Sequence, residues 1–415
     1  MIPSTRTDAL ARLEAFIPVS AKYSRDRNHV FPFRHPNVSR LSPAIRHRLI
    51  TEEETARAPL ERYAESTLEK FTQEVYWRRY WKSWLSLRPQ VWTNYRTEVE
   101  EIQNSLIPAV QRRLEQVFAG NSGLAIMDLF TRELLETGYM HNHARMWWAG
   151  WFIHVERLPW QLGAHFFYQH LLDADPASNT LSWKWVAGLQ TPGKTYLPRR
   201  SNLEKYLPAE LLAEYSAGLE RLEKPQSHLP DELPLKPEVT RKNLPQSYPD
   251  ASKPTLLWIH EDDLLPERSP LAAFDASHLV VTADKQTWQD QGFSKLKTDW
   301  LKFALTDTIQ RAQDAFPKTH VLPEAHAYTP DLLLHLAQTH NLTQILTLRP
   351  EVGPLHDQLP YLEAHLAKHH ISLHYLDRPE DLQLRPLATA GFFGFWKKLQ
   401  TKKLLPQKEA QPALL

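Results

Sequence analysis

The sequence contains no cysteine, which excludes disulfide bonds, cysteine-ligated iron–sulfur clusters and thiolate zinc sites. It has no run of about 18 apolar residues and no charged-then-apolar leader after Met1, so it predicts neither a transmembrane helix nor a secretory signal. Charge is nearly balanced, because 49 Lys and Arg against 48 Asp and Glu give a net charge of +1. A nucleic-acid interface would therefore be a local basic patch. We expect a cytosolic (cytoplasmic) protein.

The N-terminal half has the pattern of a helical domain. Residues 60–87 contain neither glycine nor proline and carry apolar residues at helical spacing, and residues 126–155 also carry apolar residues at helical spacing. Residues 1–212 are therefore predicted to form a helical domain. Seven prolines lie between Pro225 and Pro254. Because proline blocks helix propagation and lacks a backbone donor, residues 213–254 are predicted to be an extended linker.

After this linker the hydrophobic period changes. Short apolar runs alternate with helical stretches at 295–316, 330–340 and 354–370. The runs are Thr255–His260, His278–Thr282, Thr319–Leu322, Gln344–Leu348 and Ile371–Leu376. Buried strands that alternate with helices indicate a doubly wound parallel sheet. The predicted fold class is a helical domain followed by a Rossmann-like α/β domain at 255–398 and a tail at 399–415, with no GxGxxG or P-loop to mark a phosphate site.

The most informative motifs lie in the helical half. Residues 136–146 read ETGYMHNHARM, followed by DADPASN at 173–179 and WKW at 183–185. Tyr23, SRLSP at 39–43 and EVYWR at 74–78 precede them. In this order and spacing, the segments resemble the FAD-binding domain of the photolyase/cryptochrome family. A competing interpretation of 141–143 as an HNH nuclease motif requires a ββα metal site, whereas these residues lie in a helical pattern, so no metal site is predicted.

The resemblance implies a noncovalently bound FAD. The residues matched to its site are Tyr23, Ser39, Arg40, Ser42, Phe71, Asn142, Arg145, Asp173, Asp175 and Asn179. Hydroxyls and a guanidinium on a loop that enters a helix can bind a diphosphate, although Val38 replaces the threonine that the family favours. By the same resemblance, Arg145 and Asp173 form the ion pair beside the isoalloxazine ring, and Asn179 faces flavin N5.

The resemblance also implies a pocket for a pyrimidine dimer extruded from DNA. Its catalytic residues would be Glu74, Trp77, Asn142, Met146 and Trp185, which offer two aromatic rings for stacking and polar groups for the pyrimidine edges. Family members that act on (6-4) photoproducts tend to have histidine at position 142, so asparagine favours cyclobutane dimers. DNA phosphates are assigned to Arg78, Lys184, Arg199 and Arg200, with Arg79 and Lys194 as further candidates.

Trp183 and Trp160 match the first two tryptophans of the family's electron-transfer chain. The third cannot be assigned, because the region between Trp81 and Ile107 is shorter than is usual in the family. Trp92, Trp148 and Trp151 are the candidates for that position.

The α/β half resembles the family's antenna domain more weakly. Residues 255–264 read TLLWIHEDDL, similar to the opening of that domain, and FWKK at 395–398 resembles its end. In the family the antenna domain comes first, so the reversed order predicts a circular permutation. The sequence identifies no antenna chromophore.

Together these motifs predict a deoxyribodipyrimidine photolyase, a lyase that repairs cyclobutane dimers in DNA under blue light by electron transfer from reduced FAD. Its partner would be dimer-containing DNA, and a monomer without membrane association is expected. The alternative is a cryptochrome-like photoreceptor that binds FAD without repair. A third interpretation is a flavin-free relic. Retention of Glu74, Trp77, Asn142 and Trp185 favours repair.

Overall fold

The computed structural model describes residues 2–190, 195–229, 236–240, 244 and 247–408. Its first half is helical. The helices are α1 (Arg6–Ser20), α2 (Tyr23–Asp26), α3 (Ser42–Arg46), α4 (Glu52–Arg57), α5 (Glu65–Ser86), α6 (Gln90–Asn104), α7 (Pro108–Phe118), α8 (Ala125–Thr137), α9 (Asn142–His154), α10 (Trp160–His170), α11 (Pro176–Val186), α12 (Arg200–Tyr206) and α13 (Ala209–Glu214). A 3₁₀ turn at Leu219–Leu222 follows, so helical structure continues beyond residue 212.

Local sequence sets the ends of the helices that carry the motifs. Helix α8 ends at Gly138, whose φ of 66° is left-handed and whose Cβ, if present, would lie 2.6 Å from Leu172. Asp175 caps α11, and Pro176 occupies its first turn. The backbone N–H of Leu172 donates to the carbonyl of Gly138 at 2.9 Å. The loops that enter α9 and α11 are therefore held side by side.

The second half is an α/β domain. Its strands are β1 (Thr255–His260), β2 (His278–Ala283), β3 (His320–Val321), β4 (His326–Ala327), β5 (Gln344–Leu348) and β6 (Ser372–Leu376). Its helices are α14 (Lys285–Asp290), α15 (Lys295–Ala315), α16 (Pro330–Thr339), α17 (Pro354–Ala367), α18 (Pro379–Leu384) and α19 (Phe392–Thr401). The strand order is β3-β2-β1-β5-β6, all pairs are parallel, and β4 also pairs with β2.

Side chains of the central strand β1 alternate between two hydrophobic cores. Leu257 and Ile259 pack with residues of α15, whereas Leu256 and Trp258 pack with residues of α16 and α17. Helices therefore cover both faces of the sheet, as a doubly wound domain requires. This confirms the predicted fold class of a helical domain followed by an α/β domain.

The last helix, α19, returns to the helical domain. Phe392 stacks on Trp77 of α5 with ring centroids 3.8 Å apart and planes at 10°, and Tyr80 Oη donates to the carbonyl of Ala390 at 2.8 Å. The FWKK segment, expected at the end of an antenna domain, thus lies on a helix packed against α5. Part of the predicted linker lies outside the described residues. Within the described part, Arg88 Nε donates to the carbonyl of Pro237 at 3.2 Å.

One part of the interface between the two domains consists of three consecutive residues on each side. Arg46 Nη2 lies 2.7 Å from Asp262 Oδ1, and Arg48 Nη1 lies 3.0 Å from Asp263 Oδ2. Between them, His47 Nδ1 lies 2.6 Å from the carbonyl oxygen of Glu261. Residues 261–263 directly follow β1, so the helical domain covers the edge of the sheet where doubly wound domains usually bind ligands. None of the helices in the described ranges is both long and apolar enough to cross a bilayer.

Candidate functional site

A network of ion pairs organises the loop before α11. Arg145 Nη2 lies 3.0 Å from Asp173 Oδ1, and Arg78 pairs with both Asp173 and Asp175. Asp175 Oδ1 also accepts from the backbone N–H groups of Ala177 and Ser178 at 2.9 and 2.8 Å. Asp173 is only 3% exposed. Burial alone raises the pKa of Asp173, but Arg145 and Arg78 outweigh burial and lower that pKa.

This network contains the predicted Arg145–Asp173 pair and gives Arg78 a different position from the one expected. Arg78 is engaged by two buried carboxylates, rather than free to bind a DNA phosphate. A charge buried to this extent persists only when it is partnered. Arg78 therefore fixes the 173–175 loop against α5.

Positive charge is in excess beside this loop. Arg40 and Arg145 place their guanidinium carbons 5.5 and 5.6 Å from the ring centroid of Tyr139. Arg12 donates to the backbone carbonyls of Ser39 and Val38, and burial followed by repulsion from Arg40 lowers the pKa of Arg12. Within the described part of the chain, neither Arg12 nor Arg40 pairs with a carboxylate, and Arg40 Nε is a buried nitrogen without a hydrogen-bond partner.

The remaining predicted cofactor residues surround the same region. Asn179, on α11, is 8% exposed and donates its Nδ2 hydrogen to the carbonyl of Ala164 at 2.8 Å. Tyr23 and Phe71 contact each other edge to face, with centroids 5.3 Å apart. Ser42, at the start of α3, also lowers the pKa of Asp173 through a side-chain hydrogen bond. Their contact with a cofactor stays a prediction.

The predicted dimer-binding residues lie on three helices that pack together. Glu74 and Trp77 are on α5, Asn142 and Met146 on α9, and Trp185 on α11, which contacts both other helices. Asn142 is exposed, Trp185 is 36% exposed and Trp77 and Met146 are half-buried. Two of these side chains are already engaged, since Glu74 pairs with Arg27 at 2.8 Å and one face of the Trp77 ring is covered by Phe392.

The aromatic contacts divide the predicted electron-transfer residues into two groups. Trp183 lies edge-on to Trp148 at 6.0 Å and to Phe167 at 5.1 Å. Trp160 instead stacks on Tyr95 at 5.6 Å, and Tyr95 lies 5.6 Å from Trp92. Trp148 thus contacts Trp183, whereas Trp92 is connected to Trp160 through Tyr95. The third candidate, Trp151, contacts Trp148 at 5.6 Å.

The predicted phosphate-binding residues differ in their availability. Arg199 is exposed, whereas Arg200 pairs with Glu204 and Glu223. Lys184 lies over the Trp160 ring at 5.7 Å, and burial lowers its pKa. Arg79 is buried against Glu351. Lys194 lies outside the described residues.

Sequence reasoning missed Arg12 and Arg27. Arg12 lies 27 residues before Ser39, whose carbonyl it contacts, and no local pattern links these two positions. Arg27 could have been found, because it follows Tyr23 by four positions and residues four apart share a helix face.

Residues 71–252 match the family model for the FAD binding domain of DNA photolyase. The chain is 30% identical over 241 residues to a deoxyribodipyrimidine photo-lyase of Agrobacterium fabrum, covering 55% of this chain and 48% of the relative. It is 31% identical over 190 residues to the enzyme of that name from a Synechococcus strain (44% and 38%) and 36% identical over 93 residues to the cryptochrome DASH of Idiomarina loihiensis (22% and 20%). These similarities are confined to part of the chain, and for residues 71–252 they support the photolyase/cryptochrome family.

Two solved structures have a weaker similarity to this chain. A class III photolyase from Agrobacterium tumefaciens is 23% identical with a TM-score of 0.41, covering 54% of this chain and 53% of that one. A Synechocystis cryptochrome is 21% identical with a TM-score of 0.44, covering 52% and 45%. The chain spans between a quarter and a half of the length of the first curated relatives that it matches.

The described residues of this site fit FAD, the cofactor of the matched domain. The surplus charge of Arg12 and Arg40, the orphaned Arg40 Nε and the hydroxyls of Ser39 and Ser42 are a donor set for a diphosphate. We expect these groups to hold the diphosphate, and Arg145, Asp173 and Asn179 to hold the flavin ring. When bound, FAD supplies light absorption and electron transfer.

Proposed function

We propose that this protein is a DNA photolyase that repairs cyclobutane pyrimidine dimers. The supporting observation is the placement of Asn142 and Arg145 on one turn of α9. Arg145 holds Asp173 in the candidate cofactor loop, while Asn142 is exposed at the first residue of the same helix. An amide at that position can bind a pyrimidine edge next to the cofactor.

The neighbouring side chains would receive the extruded dimer. Trp77 and Trp185 each retain exposed ring surface on which a base can stack. Glu74 would accept a hydrogen bond from a pyrimidine N–H, and Arg27, its partner at 2.8 Å, holds that carboxylate in position.

A cryptochrome-like photoreceptor is the second candidate. Phe392 covers one face of the Trp77 ring, and Glu74 already forms an ion pair with Arg27. Both contacts reduce the surface that a lesion could use. The photoreceptor hypothesis requires only the cofactor residues.

We also propose that the α/β domain is an antenna-type domain in permuted order. Its parallel sheet, with helices packed on both faces, supports this proposal. The domain limits 1–212, 213–254, 255–398 and 399–415 belong to this proposal. A photolyase acting on cellular DNA would work in the cytoplasm.

The deciding experiment follows the loss of thymine dimers from single- and double-stranded oligonucleotides under blue light. Protein loaded with FAD and fully reduced is compared with a dark control and with an oligonucleotide that carries a (6-4) photoproduct. We expect loss of cyclobutane dimers only, and only in the light. The matched variant is Asn142→Ala, which should lose repair, and its flavin content is measured beside that of the parent because Asn142 is also matched to the FAD site. If the parent retains FAD and leaves both substrates unchanged, the photoreceptor hypothesis replaces this proposal.

A further inference from the structure

Helix α19 has one buried and one exposed stripe. The buried stripe, at most 5% exposed, packs into the core of the helical domain and consists of Phe392, Phe395, Trp396 and Leu399. On the opposite side Phe393 is 68% exposed, and Lys397, four residues later and thus one turn away, is also exposed. A phenylalanine this exposed beside a lysine is not needed for the packing of α19.

The segment that includes α19 is locally basic. Residues 382–408 contain no aspartate or glutamate, in a chain whose overall net charge is only +1. Five lysines, at positions 397, 398, 402, 403 and 408, lie within this segment. Lys398 and Lys408 donate to backbone carbonyls. Lys397, Lys402 and Lys403 are exposed and, within the described part of the chain, have no carboxylate partner.

This basic surface begins beside the proposed dimer pocket. Phe392 stacks on Trp77 at 3.8 Å, and Phe393 is the next residue along the chain. Lysines that follow an exposed aromatic ring form the combination that binds single-stranded nucleic acid, through phosphate contacts and base stacking.

We infer that the exposed stripe of α19 and the lysines after it form a DNA-binding surface that holds the strand flanking the lesion. Lys397, Lys402 and Lys403 contact phosphates, and Phe393 stacks on an unpaired base. The inference rests on the proposed function, because it takes DNA as the substrate. It adds a contact surface contributed by the C-terminal end of the described chain to a pocket built by the helical domain.

A membrane surface is the other polyanion that basic helices bind. Interfacial helices insert a wide apolar face into the lipid headgroup region. In α19 that face is already buried in the protein core, and Phe393 is the only large apolar side chain that the helix exposes among the described residues. These observations favour DNA.

The test measures DNA binding directly. Fluorescent oligonucleotides, single- and double-stranded, with and without one thymine dimer, are titrated with the FAD-loaded full-length protein at several salt concentrations. The triple variant Lys397→Gln, Lys402→Gln, Lys403→Gln should bind all of them more weakly. Its slope of log affinity against log salt concentration should be smaller by about 3, roughly one for each phosphate that a lysine no longer neutralises. Phe393→Ala should weaken single-strand binding by roughly 5- to 100-fold.

The matched control replaces three exposed lysines of the α/β domain, Lys285, Lys318 and Lys368, with glutamine. This change removes the same amount of charge, and we expect the slope of log affinity against log salt concentration to equal that of the parent. Thermal unfolding and flavin content should be the same in all variants. Unchanged affinity and slope in the α19 triple variant would overturn the inference. So would a triple variant that binds DNA like the parent but no longer binds phosphatidylglycerol vesicles, which would assign the surface to membranes.

Repair of a thymine-dimer dinucleotide, which has no flanking strand for the lysines to bind, separates this inference from the proposed function. If the parent repairs neither the dinucleotide nor the oligonucleotide, dimer repair is refuted, while the binding slopes still test the surface. If the parent repairs both substrates and the triple variant loses only the repair of the oligonucleotide, the proposed function and this inference are both supported.

Discussion

Arg48 and Asp381 form a two-point ion pair between positions 333 residues apart, with Nη1 and Nη2 each 2.7 Å from a carboxylate oxygen. Arg79 also reaches Asp381 at 2.8 Å and Glu351 at 2.6 Å. Burial alone would lower the pKa of Arg48, but Asp381 and Asp263 outweigh burial and raise it. These buried charges connect the helical domain to the α/β domain.

Replacing Arg48 with alanine should destabilise the protein, because Asp381 and Asp263 would lose a buried partner. We expect the free energy of unfolding to fall by about 3–5 kcal/mol, as measured by urea denaturation. Arg199→Ala, at an exposed arginine, is the control and should change that free energy by less than about 0.5 kcal/mol. Equal effects in the two variants would contradict the structural role of Arg48.

Stability should depend on the protonation of Glu261. Burial, followed by Asp262 and Asp284, raises the pKa of Glu261 to about 8. Because the folded pKa lies above the unfolded one, the folded state binds the extra proton, and this group's contribution to stability falls as the pH rises from about 4.5 to about 8.

Glu261→Gln should abolish this loss of stability. The test measures the melting temperatures of the parent and the variant from pH 5 to pH 9 and follows the difference between them. The difference is needed because Lys297, whose pKa burial and Arg46 lower to about 7, contributes the opposite slope above that pH. Parallel curves for parent and variant would refute the assignment.

Asp173→Asn should reduce the FAD content of the purified protein. The substitution leaves Arg145 without its charged partner and loosens the loop that carries Asp175. Flavin absorbance per protein chain measures the occupancy, which should be near one in the parent. Asp275→Asn, at an exposed aspartate, should leave it unchanged. Parent-like occupancy in Asp173→Asn would show that the ion pair is not needed to hold the cofactor.

Trp183→Phe should slow the photoreduction of bound flavin by an external reductant, because phenylalanine preserves packing but is much harder to oxidise. Absorbance under blue light gives the rate. Two further variants test how the electron route continues beyond Trp183. Slower photoreduction in Trp160→Phe would indicate the route through Trp160, Tyr95 and Trp92, and slower photoreduction in Trp148→Phe would indicate the route through Trp148. Trp258→Phe, in the α/β domain, is the control. Unchanged kinetics in Trp183→Phe would place the route elsewhere.

Regular patterns in the sequence sufficed to predict both domain types, since helix and strand periods are properties of neighbouring residues. The Arg145–Asp173 pair was also foreseen, from the resemblance. The pairing of Arg48 with Asp381 was not, because no local pattern links two such distant positions. The stacking of Phe392 on Trp77 was not predicted for the same reason. The apolar stripe of α19 predicts that one face of the helix is buried, but it does not indicate which domain covers that face.

The return of α19 affects the order of events during synthesis. The helical domain leaves the ribosome before the α/β domain, yet Phe392, Phe395 and Trp396, which complete its hydrophobic core, are translated roughly 180 residues after its last helix, α13. Domains generally fold as units while the chain is being made. In this protein the aromatic face of α5 stays uncovered until α19 has emerged, so the α/β domain must be synthesised before the helical domain can reach its final packing.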